Sequence, residues 1–288
     1  MSILLNAQTR VLVQGITSDY GSRQAAAMAR HGTRIVAGVT PGRGDSVVSG
    51  IPVFDSIREA AQWTAIDATA IYVPADKVVD AVMEATEAGV KLMYVAAEGL
   101  PSADMMVLRA ATRKAGAWLI GPNSLGMICP GKALMGAFPP EWALPGSVGM
   151  LSRGGTLLLH TAYHLCQAGI GLSTAVHVGG DVVLGRNPVE YLAAYEADDE
   201  TRVVVLLSEV GGGKDHECAR FIPSMKKPLV ALVVGESVPA GKAMGHAGAL
   251  VGGAEQTAAA KMKILQEAGA VIARRPDEIP GIVKRLLT

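Results

Sequence analysis

The sequence predicts an α/β protein made of two tandem domains, each with a parallel sheet flanked by helices. Short runs of β-branched and apolar residues alternate with helical patterns from one end of the chain to the other. These runs lack the polar alternation of half-exposed strands, and this is typical of parallel strands that are buried on both faces. A segment rich in proline and glycine, residues 129–146, interrupts the alternation near the middle of the chain and predicts a domain boundary there.

The first domain is predicted at 1–128, with the Rossmann-like alternation of a doubly wound sheet. Each predicted strand is a short apolar run; the strands are 10–15, 34–39, 68–75, 91–99 and 117–123. The predicted helices lie between them, at 22–32, 57–63, 76–88 and 103–115. The first of these helices closes on a glycine, which is a common helix stop signal.

Residues 129–146 contain four prolines and three glycines and are predicted to form a linker. The second domain, 147–288, resumes the alternation and is flavodoxin-like in size. Its predicted strands are 147–152, 172–180, 202–213, 228–235 and 270–273. Its predicted helices are 155–168, 188–197, 214–222, 255–268 and 277–287.

Composition excludes several classes of function. The formal net charge is zero, so neither a nucleic-acid partner nor an anionic-membrane partner is expected. No apolar run approaches the roughly 18 residues of a membrane span. Cys129, Cys166 and Cys218 form no CxxC pair, which favours reduced thiols and a cytoplasmic location. His160 and His164 have helical spacing, and Cys166 lies nearby in the sequence. No acidic or other ligand completes a metal site with them, so none is predicted.

The predicted strand ends of the first domain indicate a ligand that carries phosphates. Gly15–Gly21 follows the first strand and opens a helix, where glycines allow close approach and free amides attract phosphate. A tight turn would explain the same spacing. Arg43 follows the second strand, where a NAD-binding domain usually has an acidic residue. This favours a phosphorylated ribose over NAD, although a solvated arginine is an alternative.

The predicted strand ends of the second domain carry different chemistry. "LSRGGT" (151–156) ends a strand and opens a helix, which provides amides for an anion. Glu209 ends another strand, and His246 lies in a glycine-rich loop after the next one. Each residue alone is compatible with a helix cap or a solvated side chain. Together they could hold a phosphoryl group on a histidine nitrogen, with the carboxylate fixing the tautomer.

The motifs "VLVQGIT", "VAGVTPGRG", "IGPN", "SRGGT", "VGGD", "EVGG" and "GKAMGHAGA" resemble, in order, the α subunit of succinyl-CoA synthetase. The resemblance implies a CoA-binding domain followed by a ligase domain that carries a phosphorylated histidine. It implies that His246 is that histidine, that Glu209 supports it and that the helix start receives the phosphate. The implied phosphate-binding residues are Gly154, Gly155 and Thr156, the implied CoA-binding residues are Gly15, Thr17, Ser18, Gly21, Arg43, Val73, Pro74 and Glu98, and the implied substrate-proximal residues are Asn123 and Ser124.

The resemblance also implies a partner, an ATP-grasp β subunit that binds ATP or GTP with Mg. The chain itself lacks a GxxxxGK[ST] phosphate loop. The implied substrates are CoA and a small carboxylic acid, with succinate as the default.

The chain departs from the family pattern around the expected acyl site. Ser124 and Leu125 stand where cysteine and proline are usual, Gly154 stands where serine is usual, and His177 begins "HVGGDV" in place of "GIGGDP". In the CoA loop the departures are Ser18 for glycine and Arg43 for lysine. These changes predict retained phosphotransfer with either another acid, such as malate, or reduced activity.

A CoA-binding protein that has lost catalysis is a third hypothesis, and the intact histidine motif argues against it. An NAD-dependent oxidoreductase is disfavoured by Arg43.

Overall fold

The computed structural model describes residues 3–238 and 245–288. The chain divides into two compact units. The N-terminal unit contains Leu4–Phe138 with Val183–Arg186, and the C-terminal unit contains Pro139–Val182 with Asn187–Thr288. Both are α/β units with predominantly parallel sheets, so the predicted fold class is confirmed.

The N-terminal unit alternates strands and helices. Its strands are β1 (Arg10–Gln14), β2 (Arg34–Val39), β3 (Val47–Val48), β4 (Ile51–Phe54), β5 (Ala68–Ile71), β6 (Leu92–Val95), β7 (Trp118–Ile120), β8 (Gly126–Cys129) and β9 (Ala133–Gly136). Its helices are α1 (Asp19–Arg30), α2 (Ile57–Trp63), α3 (Val78–Glu87) and α4 (Ser102–Lys114).

The main sheet of this unit has the strand order β3-β4-β2-β1-β5-β6-β7. All its pairings are parallel except that of β3 with β4. The chain runs outward from β1 through β2 and then returns to the other side of β1 at β5. Strand order therefore reverses beside β1, and the carboxyl ends of the strands at such a reversal form the ligand crevice of doubly wound sheets.

The division between the two units falls after Phe138, inside the predicted linker at 129–146, and the first part of that segment forms regular structure. Strands β8 and β9 form an antiparallel hairpin that pairs Gly126 with Gly136 and Cys129 with Ala133. The hairpin belongs to the N-terminal unit, where the Thr33 hydroxyl donates to the carbonyl of Leu134 at 2.6 Å. The proline and glycine at 130–131 form the tight turn of this hairpin, so these residues mark a turn within structure and not a linker.

The C-terminal unit begins again with strands and helices in alternation. Its strands are β10 (Pro145–Ser152), β11 (Leu172–His177), β12 (Val203–Glu209), β13 (Leu229–Val234) and β14 (Val271–Ile272). Its helices are α5 (Gly155–Gln167), α6 (Pro188–Ala197), α7 (Lys214–Phe221), α8 (Ala258–Glu267) and α9 (Ile279–Leu287).

These strands are parallel and follow the order β14-β13-β12-β10-β11. All seven residues of β12 are buried, which explains its continuous apolar sequence. The chain passes from β10 to β11 and then crosses to β12 on the other side, so the strand order reverses between β10 and β12. The carboxyl ends of these three strands place Ser152, His177 and Glu209 at one edge of the sheet.

Along 3–238 and 245–288, none of the helices combines the length and the apolar character that crossing a bilayer requires.

Candidate active site

The side chains of His246 and Glu209 form a hydrogen-bonded pair in the C-terminal unit. Nδ1 of His246 lies 2.8 Å from Oε2 of Glu209. Glu209 is held at the end of β12 with its side chain 10% exposed, whereas 28% of the His246 side chain remains exposed. The carboxylate raises the pKa of His246 above its usual value, against the opposing effect of partial burial. A carboxylate on Nδ1 directs the free lone pair of the neutral ring to Nε2.

The ring of His246 lies against two glycines at strand ends. A methyl group added at Gly180 would lie 2.7 Å from Cδ2 of His246 and 3.0 Å from Nε2, so only glycine fits beneath the ring. A methyl group added at Gly154 would lie 4.0 Å from Cε1 of His246. The Cε1 edge of the ring, between its two nitrogens, is therefore close to the start of α5.

Helix α5 begins immediately beside this ring. Gly154 is its N-cap, with φ −105° and no side-chain cap, and the Ser152 hydroxyl engages Gly154 at its amide and its carbonyl. The amides of the first helical turn have no intrahelical acceptor and carry the positive end of the helix dipole. Gly155 and Thr156 supply the first of those amides, and Gly154, which precedes them, is the predicted phosphate-binding residue seen next to the His246 ring.

Sequence reasoning did not single out Arg153, which lies between β10 and α5 and is 3% exposed. Its Nη2 lies 3.5 Å from Oε1 of Glu209, the oxygen that does not contact His246. The same nitrogen donates to the carbonyls of Gly180 and Asp181, at 3.3 and 3.2 Å. The motif "SRGGT" contained this residue, but an arginine in a loop is ordinarily solvated, so nothing in the sequence indicated its burial.

His177 is another departure from the family pattern and contacts the backbone of Arg153. It ends β11 and is 4% exposed, and its Nε2 lies 2.9 Å from the carbonyl of Arg153. Burial, opposed by the hydrogen bond to that carbonyl, lowers the pKa of His177 to about 4. The ring is therefore neutral at physiological pH and donates its Nε2–H to Arg153.

Lys261 anchors the strand end that carries Glu209. This fully buried lysine of α8 forms an ion pair of 2.6 Å with Asp215 of α7. Its Nζ donates to the carbonyl of Glu209 at 2.8 Å and also to that of Gly211. A buried charge was not expected from the sequence, because the segment around Lys261 has an ordinary amphipathic pattern.

The N-terminal unit contains a separate pocket of about 410 Å³ at the reversal beside β1. Five predicted residues line it, namely Gly15, Thr17, Ser18, Val73 and Pro74. Ser18 also caps α1, since its hydroxyl accepts from the amide of Gly21 at 3.0 Å. Gly15 has φ +76°, and a methyl group there would lie 2.7 Å from the carbonyl oxygen of Tyr72. Glycine is therefore required at this wall of the pocket.

Residues that the sequence did not indicate complete the pocket. They come from the ends of β1, β2 and β5 and from one face of α3, together with the turn before it, and they are Gln14, Val39, Thr40, Pro41, Tyr72, Lys77, Asp80, Ala81 and Glu84. The lining residues on or beside α3 approach the pocket from the side. They belong to none of the sequence motifs, so the sequence did not indicate them.

Three of the predicted CoA-binding residues do not line this pocket. Gly21 packs against the carbonyl of Gly15, which leaves no room for a side chain. Arg43 is exposed on the loop after β2, where its amide donates to Asp55 at 2.9 Å. Glu98 is exposed after β6. Gly21 is therefore required for close packing of its helix, whereas Arg43 and Glu98 lie on surface loops.

The predicted substrate-proximal residues lie in the N-terminal unit after a cis peptide bond between Gly121 and Pro122. Asn123 has φ +52°. Ser124 is 6% exposed, its hydroxyl accepts from the amide of Gly126 at 2.8 Å, and its carbonyl accepts from the Tyr94 hydroxyl at 3.0 Å. The serine side chain therefore stabilises its own turn.

The first four residues of the quoted "GKAMGHAGA" motif, 241–244, lie outside the described residues. Within the described part of the chain, no group of three or more His, Cys, Asp or Glu side chains could hold a metal ion.

A family model described as "CoA binding domain" matches residues 6–99, and one described as "CoA-ligase" matches residues 151–271. The chain is 45% identical to the succinate–CoA ligase [ADP-forming] subunit alpha 2 of Archaeoglobus fulgidus over 287 residues, which is all of both chains. The chain belongs to the succinate–CoA ligase α-subunit family. As a member, it is an acid–thiol ligase subunit that binds CoA and works with a β subunit.

Other relatives of this ligase subunit are similar over its full length. It is 38% identical to the malate–CoA ligase subunit alpha of Methylorubrum extorquens, over 100% of this chain and 99% of that one. Its fold matches that of ATP citrate lyase from Methanothrix soehngenii, solved in complex with citrate and coenzyme A, with a TM-score of 0.90 and 25% identity. That match covers 99% of this chain and 50% of the larger protein.

Proposed function

We propose that this subunit serves a ligase that joins CoA to a small carboxylic acid, with succinate as the preferred acid and phosphohistidine at His246 as the intermediate. The observation that carries the proposal is the 2.8 Å contact of His246 with Glu209 beside the start of α5. A tautomer-fixing carboxylate and a set of helix amides are what a transient phosphoryl group on Nε2 needs.

In the first proposed step, Nε2 of neutral His246 attacks the γ-phosphorus of a nucleoside triphosphate held, with Mg, by an ATP-grasp β subunit. An N–P bond forms, the P–O bond to the leaving group breaks, and a nucleoside diphosphate departs. Nδ1–H donates to Glu209 throughout, so that the carboxylate offsets the positive charge that develops on the ring. The amides of Gly155 and Thr156 stabilise the oxygens of the transferred group.

In the second step, a carboxylate oxygen of the acid attacks the same phosphorus and the N–P bond breaks, which gives an acyl phosphate and restores the imidazole. In the third step, the CoA thiolate attacks the acyl carbon. The C–O bond to phosphate breaks, and the products are the thioester and inorganic phosphate. We assign CoA to the pocket beside β1, which Gly15, Thr17, Ser18, Val73 and Pro74 line.

A second acid, malate, is a specific alternative. The similarity to a malate–CoA ligase subunit and the presence of His177 beside the phosphotransfer pair both favour it. A buried neutral imidazole presents hydrogen-bonding capacity where the family usually has a small residue.

We also propose a cytoplasmic location, in keeping with three free cysteines, of which Cys129 and Cys218 are buried.

The proposal is tested by incubating the complex of this chain and its β subunit with γ-³²P-labelled ATP or GTP. We expect a label that is lost in acid and stable in base, as a phosphohistidine is, and that is absent from His246→Asn. Glu209→Gln should be labelled more slowly, because its neutral amide no longer favours the correct tautomer. An unlabelled wild-type complex, or a label that persists in His246→Asn, would contradict the proposal.

The acid is identified by adding candidates to the labelled complex in the presence of CoA. Succinate or malate should discharge the label and yield the matching thioester, and the ratio of the two kcat/KM values decides between them.

A further inference from the structure

Arg153 is a buried charge beside the histidine pair that the proposed mechanism leaves unused. Its side chain is 3% exposed, against 10% for Glu209. The two oxygens of Glu209 face different partners, since Oε2 contacts Nδ1 of His246 at 2.8 Å and Oε1 faces Nη2 of Arg153 at 3.5 Å. The carboxylate thus lies between the reactive histidine and a guanidinium.

The guanidinium also connects the loops that surround His246. Its Nη2 donates to the carbonyls of Gly180 and Asp181, and Gly180 is the residue on which the ring rests. A methyl group at Gly248, two residues after His246, would collide with the same nitrogen. The backbone of Arg153 is itself fixed, because His177 donates to its carbonyl at 2.9 Å.

A buried carboxylate is stable only when it is paired with a positive charge or is well hydrogen-bonded. His246 cannot supply that charge in the reactive state, since Nε2 must be unprotonated to attack phosphorus. Arginine remains charged at any accessible pH. Arg153 is therefore the permanent cation of this site, while His246 alternates between neutral and phosphorylated forms.

We propose that Arg153 is a positioning residue for phosphohistidine formation: it supplies the counter-charge of the Glu209 carboxylate and orients that carboxylate while His246 is neutral, and it fixes the 180–181 loop against the ring. The inference rests on the proposed function. The charged and titratable groups that act on His246 in the described part of the chain are Glu209, Arg153, Asp181 and neutral His177. Arg153 lowers the pKa of His246, whereas Glu209 and Asp181 raise it.

The test compares Arg153→Met, which removes the charge, with Arg153→Lys, which keeps it but lacks the planar fork. Arg274→Met is the matched control, because Arg274 is an exposed arginine of the same unit. The ring of His246 is titrated by NMR in each protein, with His246→Asn used for assignment. In Arg153→Met we expect His246 to titrate at higher pH than in the wild type, because the repelling cation is gone. In Arg153→Lys we expect the titration to stay near its wild-type position.

The labelling rate of the complex with the β subunit is then followed from pH 5.5 to 9. We expect the rising limb of the Arg153→Met profile to move to higher pH, and the rate at pH 7 to fall by up to about 10²-fold, the effect of a misplaced reacting group. Arg153→Lys should keep the profile's position with a lower rate, and Arg274→Met should match the wild type.

Unchanged titration of His246 in Arg153→Met would overturn the inference, even if stability falls. If Arg153→Met does not fold, a full wild-type rate in Arg153→Lys would overturn it. An unlabelled wild-type complex would instead count against the proposed function, and the NMR titration would still decide the role of Arg153 in setting the charge of His246.

Discussion

Acidification should destabilise the C-terminal unit through His177. The pKa of this histidine is about 4 in the folded protein, against about 6.5 for an exposed histidine in an unfolded chain. Because the unfolded state binds the proton more readily, the free energy of unfolding falls as the pH drops from about 6.5 and stops falling near pH 4. Over that pH range, the difference between the two pKa values lowers the free energy of unfolding by about 3 kcal/mol. A loss of this size is a large fraction of typical domain stability.

The perturbation is His177→Gln, whose side-chain amide places a donor near the position of Nε2 and so retains a donor for the carbonyl of Arg153 without titrating. Urea unfolding of both proteins is measured at pH 7 and pH 4, with near-UV circular dichroism and hydrogen exchange to isolate the transition of the C-terminal unit. Other acid-sensitive groups are common to both proteins and cancel in the comparison.

We expect the wild type to lose about 3 kcal/mol more than the variant between the two pH values. Equal losses would refute the reasoning, and so would an NMR titration of His177 centred near its unperturbed value. Either outcome would mean that the ring is solvated in solution.

Three further predictions concern the surroundings of the histidine pair and the pocket beside β1. Lys261→Met should lower the free energy of unfolding by about 3–5 kcal/mol in urea, because it leaves Asp215 buried without its counter-charge; a loss below about 1 kcal/mol would show that the pair is solvated. Gly154→Ser should speed labelling of the complex, since it adds a hydroxyl beside the histidine ring, and should stabilise the helix start by a few tenths of a kcal/mol; an unchanged rate would show that the amides suffice. Gly15→Ala should weaken CoA binding at least about tenfold by calorimetry, because the added methyl meets the pocket wall and the backbone has φ +76°. Gly42→Ala is its control, with φ +75° but open space around it, and equal affinities in the two variants would contradict the assignment of the pocket.

The alternation of strands and helices was readable in the sequence because buried parallel strands must be continuously apolar and each needs a crossover helix. The predicted helix at 155–168 is α5 (Gly155–Gln167), and the predicted strand at 172–180 is β11 with the turn that follows it. The hairpin of β8 and β9 was not predicted, because the proline and glycine in its turn are equally typical of a linker. The length and composition of the segment fit a linker and a hairpin equally well. Only the pairing of Gly126 with Gly136 in the folded chain separates the two.

The candidate site was predictable where its residues end strands and belong to glycine-rich motifs. His246, Glu209 and Gly154 meet because strand ends on either side of a strand-order reversal lie side by side. Arg153 and Lys261 were not predictable as site residues, because the sequence gives no sign that a particular charged side chain is buried. Arg43 and Glu98 do not line the pocket, and the sequence could not show this, since exposed loop residues share the same sequence neighbourhood as the residues that line it.

Each of the two proposed ligand-binding edges is assembled from the strands of one sheet. The wall at Gly15 depends on β1 and β5, whereas the histidine and its carboxylate depend on β12 and its neighbours. The proposed CoA pocket and the proposed phosphohistidine pair could therefore change separately during evolution, with one edge altered while the other kept its shape. An engineer who wished to alter the surroundings of the histidine could leave the strands of the N-terminal sheet untouched and mutate only the loops after β10 and β11.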